Sequence, residues 1–310
     1  MAPKAARIQD VARQAGVSTA TVSRALSNPD MLAEATRQAV FDAIRATGYR
    51  VNQAARNLRK QRAGAVLILV PNLGNPFFSQ ILAGLTAELA KADYSVLITD
   101  TSQRRDGALV DFFLDGRVDG MISLDGSLTE AELAQFEANG VEGKIVFACE
   151  WVHGAPYPSV RSDNETGARL AIRHLAELGH SKIAHVTGPE GNVLTRMRRE
   201  GVLAEREKLG LPVRSDWILR GDFSMESGAE AARAIIAMAE RPTAVFCASD
   251  MVAFGLISTL VAAGIDVPGD ISIIGFDGIS RAAHATPPLT TVRQDVTTMG
   301  TELVHLLVDQ

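Results

Sequence analysis

Between residues 65 and 276, short apolar runs alternate with segments of helical periodicity. A strand that is followed by a helix and a second strand generally lies parallel to that second strand in one sheet. The pattern therefore predicts an α/β body made of two doubly wound parallel sheets. The predicted strands are residues 65–70, 95–99, 120–124, 144–149, 182–187, 217–220, 244–248 and 271–276, and helices in the second half are expected to begin near Asn164, Thr195, Ser224 and Met251.

Charged residues are unevenly distributed along the 310 residues. Residues 1–62 carry eleven Lys and Arg against four Asp and Glu, whereas the rest of the chain carries twenty against thirty-two. A basic segment attached to an acidic body is typical of a DNA-binding module joined to a second function. We therefore expect a nucleic-acid-binding head, although the net charge of the whole chain is -5.

The composition also limits location and chemistry. The first residues do not have the pattern of a signal peptide, and no stretch approaches the roughly 20 apolar residues of a membrane span, so we expect a cytoplasmic protein with no membrane partner. Cys149 and Cys247 each end an apolar run and are interpreted as reduced core residues of two strands. Without CxxC or His-rich spacing, the sequence predicts no metal and no cofactor.

Apolar residues of the basic head recur at helical spacing from Ile8 and stop at Gly16. Ser18 can cap a second helix, and a third helix is predicted over residues 34–47 with Gly48 as its stop signal. The buried side of the third helix is expected to carry Val40, Phe41 and Ile44. Three short helices in this order predict a helix-turn-helix unit, although any small three-helix bundle shows the same periodicity.

The segment from Ile8 to Asn28, IQDVARQAGVSTATVSRALSN, closely resembles the opening motif of the LacI/GalR family of bacterial repressors. The resemblance implies DNA contacts in the second helix at Thr19, Ala20, Thr21, Ser23 and Arg24. Thr19, Ala20 and Arg24 would read base edges in the major groove, and the other two would lie beside phosphates. An arginine in such a position can pair bidentately with guanine.

One position of the head departs from the family pattern. Ala33 stands where family members carry a Ser or Thr before the third helix, and the loss of such a cap costs about 0.5–2 kcal/mol. Asp30 is a candidate for an earlier cap.

Residues 51–63 are basic and have no apolar stripe, so by themselves they would be interpreted as a solvated linker. Behind this head they resemble the family's hinge helix, two copies of which pair over the minor groove of DNA. The resemblance implies that Leu58 wedges into a base step and that Ala55 lets the two helices approach closely. Further DNA contacts in the hinge are implied for Asn52, Arg56 and Arg59.

Polar and aromatic residues follow several strands of the body, at the edge where doubly wound sheets bind ligands. Taken singly, an Asp in such a place is more often a helix cap and a Phe is more often a core residue. The resemblance covers nearly all of residues 7–310 and implies the type I periplasmic-binding-protein fold, with an effector between two lobes. The implied effector contacts are Phe77, Phe78, Arg198, Phe223, Ser249 and Asp277, with Glu150 and Trp151 as second-rank candidates.

The residue types of this set suit a sugar or a nucleoside. Asp277 can accept hydrogen bonds from hydroxyls, Arg198 can donate them, and the aromatic residues supply flat apolar faces. Motifs such as Arg220-Gly-Asp-Phe most resemble the branch of the family that contains the cytidine and purine repressors.

We therefore predict an all-α helix-turn-helix head over residues 1–50, a hinge over 51–63, and an α/β effector-binding and dimerisation domain over 64–310. The first lobe of that domain would comprise residues of about 64–161 and 291–310, and the second lobe residues of about 162–290.

The predicted function is that of a homodimeric transcription regulator whose affinity for a palindromic operator DNA is controlled by a small effector. The alternative is a solute-binding protein of a transport system, which would leave the basic head without a role. An enzyme is not expected, because catalytic motifs such as GxSxG and the P-loop are absent and His174, His180 and His185 are interpreted as structural, in or near helix and strand surfaces. The identity of the effector and the direction of its effect are left open.

Overall fold

A computed structural model describes residues 6–50, 62–103 and 109–308 of the chain. The chain divides into two units, Met1–Ala63 and Gly64–Gln310. None of the helices in the described ranges combines the length and the apolar character that a membrane span requires.

Three helices form the first unit: α1 Ile8–Ala15, α2 Thr19–Ser27 and α3 Glu34–Thr47. Gly16 ends α1 with a φ of +66°, a left-handed conformation in which glycine is not strained. The hydroxyl oxygen of Ser18 accepts a hydrogen bond from the backbone N–H of Thr21 at 3.1 Å and so caps α2. These stop and cap signals are confirmed, because each one acts through the local backbone alone.

The helices of the first unit enclose a small apolar core. Its buried members are Val11, Ala12, Val22, Ala25, Val40 and Ala43. The expectation that Phe41 lies on the buried side of α3 is wrong: its ring is half-buried, and Ala43 takes the core position because it lies three residues from Val40 on the same helix face. Asp30 caps no helix but accepts a hydrogen bond from Arg37 at 3.2 Å, and α3 has no side-chain cap at Ala33.

Two five-stranded parallel sheets build the second unit. The strands of the first sheet are β1 Ala65–Val70, β2 Ser95–Asp100, β3 Gly120–Ser123, β4 Ile145–Ala148 and β5 Ser159–Val160. They lie in the order β2-β1-β3-β4-β5, and every pair is parallel.

The strands of the second sheet are β6 Ile183–Val186, β7 Ile218–Leu219, β8 Ala244–Cys247, β9 Ser272–Asp277 and β10 Thr290–Arg293. Their order is β10-β9-β8-β6-β7, again with parallel pairs, which confirms the predicted fold class. The predicted set lacked β5 and β10. The expected lobe boundary near residue 291 falls inside β10.

Helices cover both sheets. Those beside the first sheet are α4 Pro76–Lys91, α5 Asp111–Leu114, α6 Glu130–Ala138 and α11 Val296–Val308. Those beside the second sheet are α7 Asn164–Glu177, α8 Val193–Leu209, α9 Met225–Ala237 and α10 Asp250–Ala262. The chain therefore passes between the sheets after β5, through residues 161–163, and after β10, through residues 294–295. We call these segments the first crossing and the second crossing.

Glycines allow α9 and α10 to pack at very short range. A Cβ atom on Gly255 of α10 would lie 1.8 Å from the carbonyl oxygen of Met225, and one on Gly228 of α9 would lie 2.1 Å from that of Val252. Because the obstructing atoms belong to backbone, they cannot rotate away as a flexible side chain would.

Replacement of Gly255 by alanine should lower the free energy of unfolding by about 1–3 kcal/mol, because the two helices must move apart. Urea denaturation of the full chain measures this. Gly143→Ala is the matched control, since a Cβ there meets no atom within 4 Å. Equal stability of the two variants would contradict the proposed close packing.

Candidate effector cavity and DNA-reading face

Loops at the carboxyl ends of both sheets enclose a cavity of about 270 Å³ in the second unit. Both halves supply walls, because the ends of all parallel strands in a sheet point to the same edge. The predicted residues that line it are Phe77, Phe78, Glu150, Arg198, Phe223, Ser249 and Asp277. Trp151, the remaining candidate, lines an adjoining groove of about 1070 Å³ together with Glu150.

The wall of the cavity contains two buried groups of opposite charge, the guanidinium of Arg198 and the carboxyl group of Asp277. Arg198 is 2% exposed, and its Nη2 lies 3.8 Å from Oδ1 of Asp277. Its Nε donates to the amide oxygen of Asn164 at 2.9 Å, and its Nη1 donates to the carbonyl oxygen of Ala248. The guanidinium also stacks 3.8 Å from the ring centroid of Phe276. Only part of its donor capacity is therefore used by the protein, since a guanidinium has five N–H groups.

Asp277 ends β9 and is 6% exposed. Its Oδ1 accepts a hydrogen bond from the side-chain amide of Gln294 at 2.9 Å. The pKa of Asp277 is raised to about 7, mainly by burial; Arg198 opposes this rise, and the neighbouring Asp250 carboxylate adds to it. Near neutral pH this carboxyl group therefore changes its protonation state and hence its capacity to accept hydrogen bonds.

Backbone conformation sets this cavity apart from the rest of the described chain. Four described non-glycine residues have a positive φ, and three of them line the cavity: Cys149 at +63°, Phe223 at +68° and Asp277 at +120°. Such conformations are unfavourable for side chains other than glycine and concentrate at functional sites. The three residues lie at or beyond the ends of strands, where the lining of the cavity is found.

Glu150 lies two residues beyond β4 of the first sheet and contacts Asn192 in the second half of the unit. Its Oε2 accepts a hydrogen bond from the backbone N–H of Gly126 at 3.2 Å, and its carboxylate hydrogen-bonds the side chain of Asn192. Burial raises its pKa above the ordinary value, while the two hydrogen bonds oppose that rise. The ring of Trp151 stacks with the guanidinium of Arg161 at 3.9 Å.

Other candidates combine a structural role with a place in the lining. Phe77 and Phe78 pack edge to face, with ring centroids 5.4 Å apart, and also belong to the core of the first sheet. Ser249 caps α10, accepting from the backbone N–H of Val252 at 3.2 Å, and its hydroxyl donates to the carbonyl oxygen of Phe223 at 3.4 Å. Its hydroxyl is thus already engaged by the protein.

The predicted effector contacts did not include several polar residues of the lining, among them Asp125 and Asn192. Asp125 directly follows the predicted strand 120–124 and accepts a hydrogen bond from the hydroxyl of Thr101. Asn192 caps α8, with its Oδ1 2.8 Å from the backbone nitrogen of Leu194. Both residues could have been found from the rule that residues after strands line such sites. Asn192 was not recognised as a helix cap because the predicted start of α8, near Thr195, lay two residues beyond the observed start at Val193.

Of the two cysteines and the histidines His180 and His185, Cys149 alone lines the cavity, and it also packs in the core beside the first sheet. Both thiols are free and buried, but Cys149 lies one residue beyond β4 rather than inside a strand. His185 is buried in β6 instead of lying at a surface, and its Nδ1 donates to the carbonyl oxygen of Phe246 at 3.1 Å. His180 lies 3.0 Å from the hydroxyl of Thr243. Within the described ranges, no group of three His, Cys, Asp or Glu residues is placed to hold a metal ion.

The first unit presents the exposed face of α2. Thr19, Ala20 and Arg24 are exposed there, and Thr21 and Ser23 are half-buried. The Thr21 hydroxyl lies 2.9 Å from that of Ser18, which leaves it partly engaged in the helix cap. The hinge candidates Asn52, Ala55, Arg56, Leu58 and Arg59 lie outside the described residues.

Comparison with known families assigns both units. Residues 7–52 match the family "bacterial regulatory proteins, lacI family", and residues 172–310 match the periplasmic binding protein-like domain. The HTH-type transcriptional repressor CytR of Escherichia coli K12 is 38% identical, over 99% of this chain and 90% of its own length. The HTH-type transcriptional repressor PurR of Photobacterium profundum is 34% identical, over 98% of this chain and 92% of its own length.

A solved structure extends the likeness to three dimensions. The lac repressor dimer bound to operator and the anti-inducer ONPF superimposes with a TM-score of 0.84 at 28% identity, over 99% of this chain and 94% of that one. The predicted resemblance to the cytidine and purine repressor branch is thus confirmed, and a transport function is not favoured. The chain therefore belongs to the lacI family of bacterial regulatory proteins, as a DNA-binding transcriptional repressor under effector control rather than an enzyme.

Proposed function

We propose that the cavity of the second unit binds a sugar or a nucleoside, and that this effector sets the affinity of a homodimer for a palindromic operator. The observation that carries the proposal is the buried pair of Arg198 and Asp277 in a cavity that also contains aromatic rings. A solvent-excluded carboxylate and guanidinium with unused hydrogen-bonding capacity are costly unless a ligand of matching polarity completes them.

The chemistry of the lining favours a polyhydroxylated ligand with a flat part. Asp277 accepts from neighbouring hydroxyls, and Arg198 donates to hydroxyl or ring oxygens. Phe77, Phe78 and Phe223 supply apolar faces for a sugar ring or a base. A cavity of about 270 Å³ that adjoins a larger groove suits a ligand between a monosaccharide and a nucleoside in size.

The candidate effector contacts come from both sheets. Glu150 and Trp151 lie beyond β4, at the side that adjoins the groove, and Ser249 lies beyond β8 at the start of α10. We place Glu150 and Trp151 at the outer end of the effector and give Ser249 a shaping role, since its hydroxyl caps a helix. We also propose that the head ends at residue 50, that the hinge ends at residue 63, and that the effector-binding domain has two lobes. Because β10 pairs with β9, we count β10 in the second lobe.

The DNA-binding half of the proposal assigns the exposed face of α2 to the major groove. Thr19, Ala20 and Arg24 would contact base edges, while Thr21 and Ser23 would lie near phosphates. The hinge around Leu58 would enter the minor groove when two chains pair. The lac repressor neighbour is a dimer on operator DNA, which supports the dimeric assembly, and a cytoplasmic location follows from the need to reach the operator.

Effector affinity should fall as the pH is lowered from 8 to 5.5. The carboxylate form of Asp277 accepts more hydrogen bonds than the acid form, so hydroxyl binding favours ionisation and weakens as the group protonates below its pKa of about 7. Isothermal titration calorimetry with D-ribose, D-glucose and the four ribonucleosides measures this. Asp277→Asn should bind the best ligand about 10- to 100-fold more weakly and lose most of the pH dependence.

The exposed Asp115→Asn variant is the control for this titration and should behave as the unaltered chain. Binding of none of these compounds, or undiminished binding by Asp277→Asn, would refute the proposed site.

Operator affinity should depend on Arg24 and on salt. Arg24→Ala should weaken binding to a palindrome selected by the full-length repressor by about 1–3 kcal/mol, through loss of a base contact. The affinity should also fall steeply with salt concentration, because phosphate contacts release counterions. Fluorescence anisotropy across a salt series measures both effects.

Arg45→Ala, on the exposed side of α3, serves as the control and should retain most of the affinity. The assignment of α2 to the major groove fails if Arg24→Ala binds as tightly as the unaltered chain, or if no palindrome is preferred over random duplex.

A further inference from the structure

Two buried amide side chains lie where the chain passes between the sheets. Asn164 begins α7 directly after the first crossing, and Gln294 begins the second crossing. They are 3% and 7% exposed. A buried amide must satisfy both its oxygen and its nitrogen, so the partners of these side chains are informative.

The amide of Asn164 joins the cavity to the first crossing. Its Oδ1 accepts from Nε of Arg198 at 2.9 Å, and its Nδ2 donates to the backbone carbonyl oxygen of Ser162 at 2.9 Å. The orientation of the amide is fixed by chemistry, because a guanidinium only donates and a carbonyl oxygen only accepts. Each end of the side chain therefore has one fixed partner.

Gln294 makes the corresponding connection at the second crossing. Its side-chain nitrogen donates to Oδ1 of Asp277 at 2.9 Å, and its backbone N–H donates to the carbonyl oxygen of Asp277 at 3.1 Å. Since Asp277 is paired with Arg198, a continuous polar chain runs from one crossing to the other through the charged wall of the cavity. Its members are Ser162, Asn164, Arg198, Asp277 and Gln294.

We propose that Asn164 is a positioning residue that couples occupation of the cavity to the geometry of the first crossing. The inference rests on the proposed function. A ligand that draws the Arg198 guanidinium toward itself must carry the Asn164 amide along or leave a buried acceptor unpaired, which is unfavourable. The amide in turn pulls on the Ser162 carbonyl. Because crossing segments are the hinges between lobes, a small displacement there changes the angle between the two sheets.

Two substitutions separate the two ends of the amide. Asn164→Asp keeps an acceptor for Arg198 but cannot donate to Ser162, whereas Asn164→Leu removes both interactions. Asn139→Asp, at the exposed end of α6, is the matched control. For each variant, calorimetry measures the affinity for D-ribose, D-glucose and the four ribonucleosides. Anisotropy then gives the factor by which the best of these ligands changes affinity for the selected palindrome, and thermal melting reports folding.

Asn164→Asp is expected to bind the ligand within about threefold of the unaltered chain, while the change in operator affinity shrinks at least about fivefold. Asn164→Leu should lose about tenfold or more in ligand affinity, because Nε of Arg198 is left without an acceptor. The inference is overturned if Asn164→Asp keeps full coupling, or if that variant loses ligand affinity and coupling in parallel. Normal ligand binding by Asn164→Leu also overturns it. None of these three outcomes affects the proposed function. An unaltered chain that responds to none of the six compounds overturns the proposed function, and the inference with it.

Discussion

The burial of one positive and one negative charge between two sheets governs the design of the second unit. Arg198 and Asp277 lie 3.8 Å apart and are nearly excluded from solvent, so each one must be compensated by neighbours. An amide beside each crossing, the backbone carbonyl of Ala248 and the face of Phe276 supply that compensation. The remaining hydrogen-bonding capacity of the pair points to a polar ligand, and the amides connect the pair to the segments that join the lobes.

The doubly wound topology explains why these groups meet. Every strand of both sheets is parallel to its neighbours, so the residues that follow the strands collect at one edge of each sheet. The same residues also start the helices: Asn192 caps α8 and Ser249 caps α10, and both line the cavity. One side chain thus helps both to define a helix and to shape the ligand site, which ties the stability of the fold to the geometry of the cavity.

Much of the architecture could be predicted from local sequence signals. Gly16, Ser18 and Gly48 fix the helix ends of the first unit through backbone conformation and capping, which depend on few neighbours. Strands with a continuous apolar run were also predicted. The strands β5 and β10 were not, because the former has two residues and the latter has exposed or half-buried positions throughout, and neither produces an apolar run.

Tertiary packing decided the features that the sequence did not predict. Phe41 and Ala43 both fit a helical apolar stripe, and only the contact with the other helices selects Ala43 for the core. The pairing of Asn164 with Arg198 joins residues 34 positions apart on different helices. The positive φ angles of Cys149, Phe223 and Asp277 could not be predicted either, because none of these residues is a glycine. The clustering of seven effector candidates in one cavity was implied by family resemblance, whereas its connection to the crossings required the side-chain geometry.

Effector control requires an energetic linkage between the cavity and the DNA-binding head, and such linkage acts in both directions. The most direct measurement is calorimetric titration of the best-binding sugar or nucleoside into full-length repressor, once without DNA and once saturated with its selected palindrome. Operator DNA should change the ligand affinity by the same factor by which the ligand changes operator affinity. Equal ligand affinities in the two titrations, beside a ligand site that is clearly occupied, would contradict effector control of this repressor.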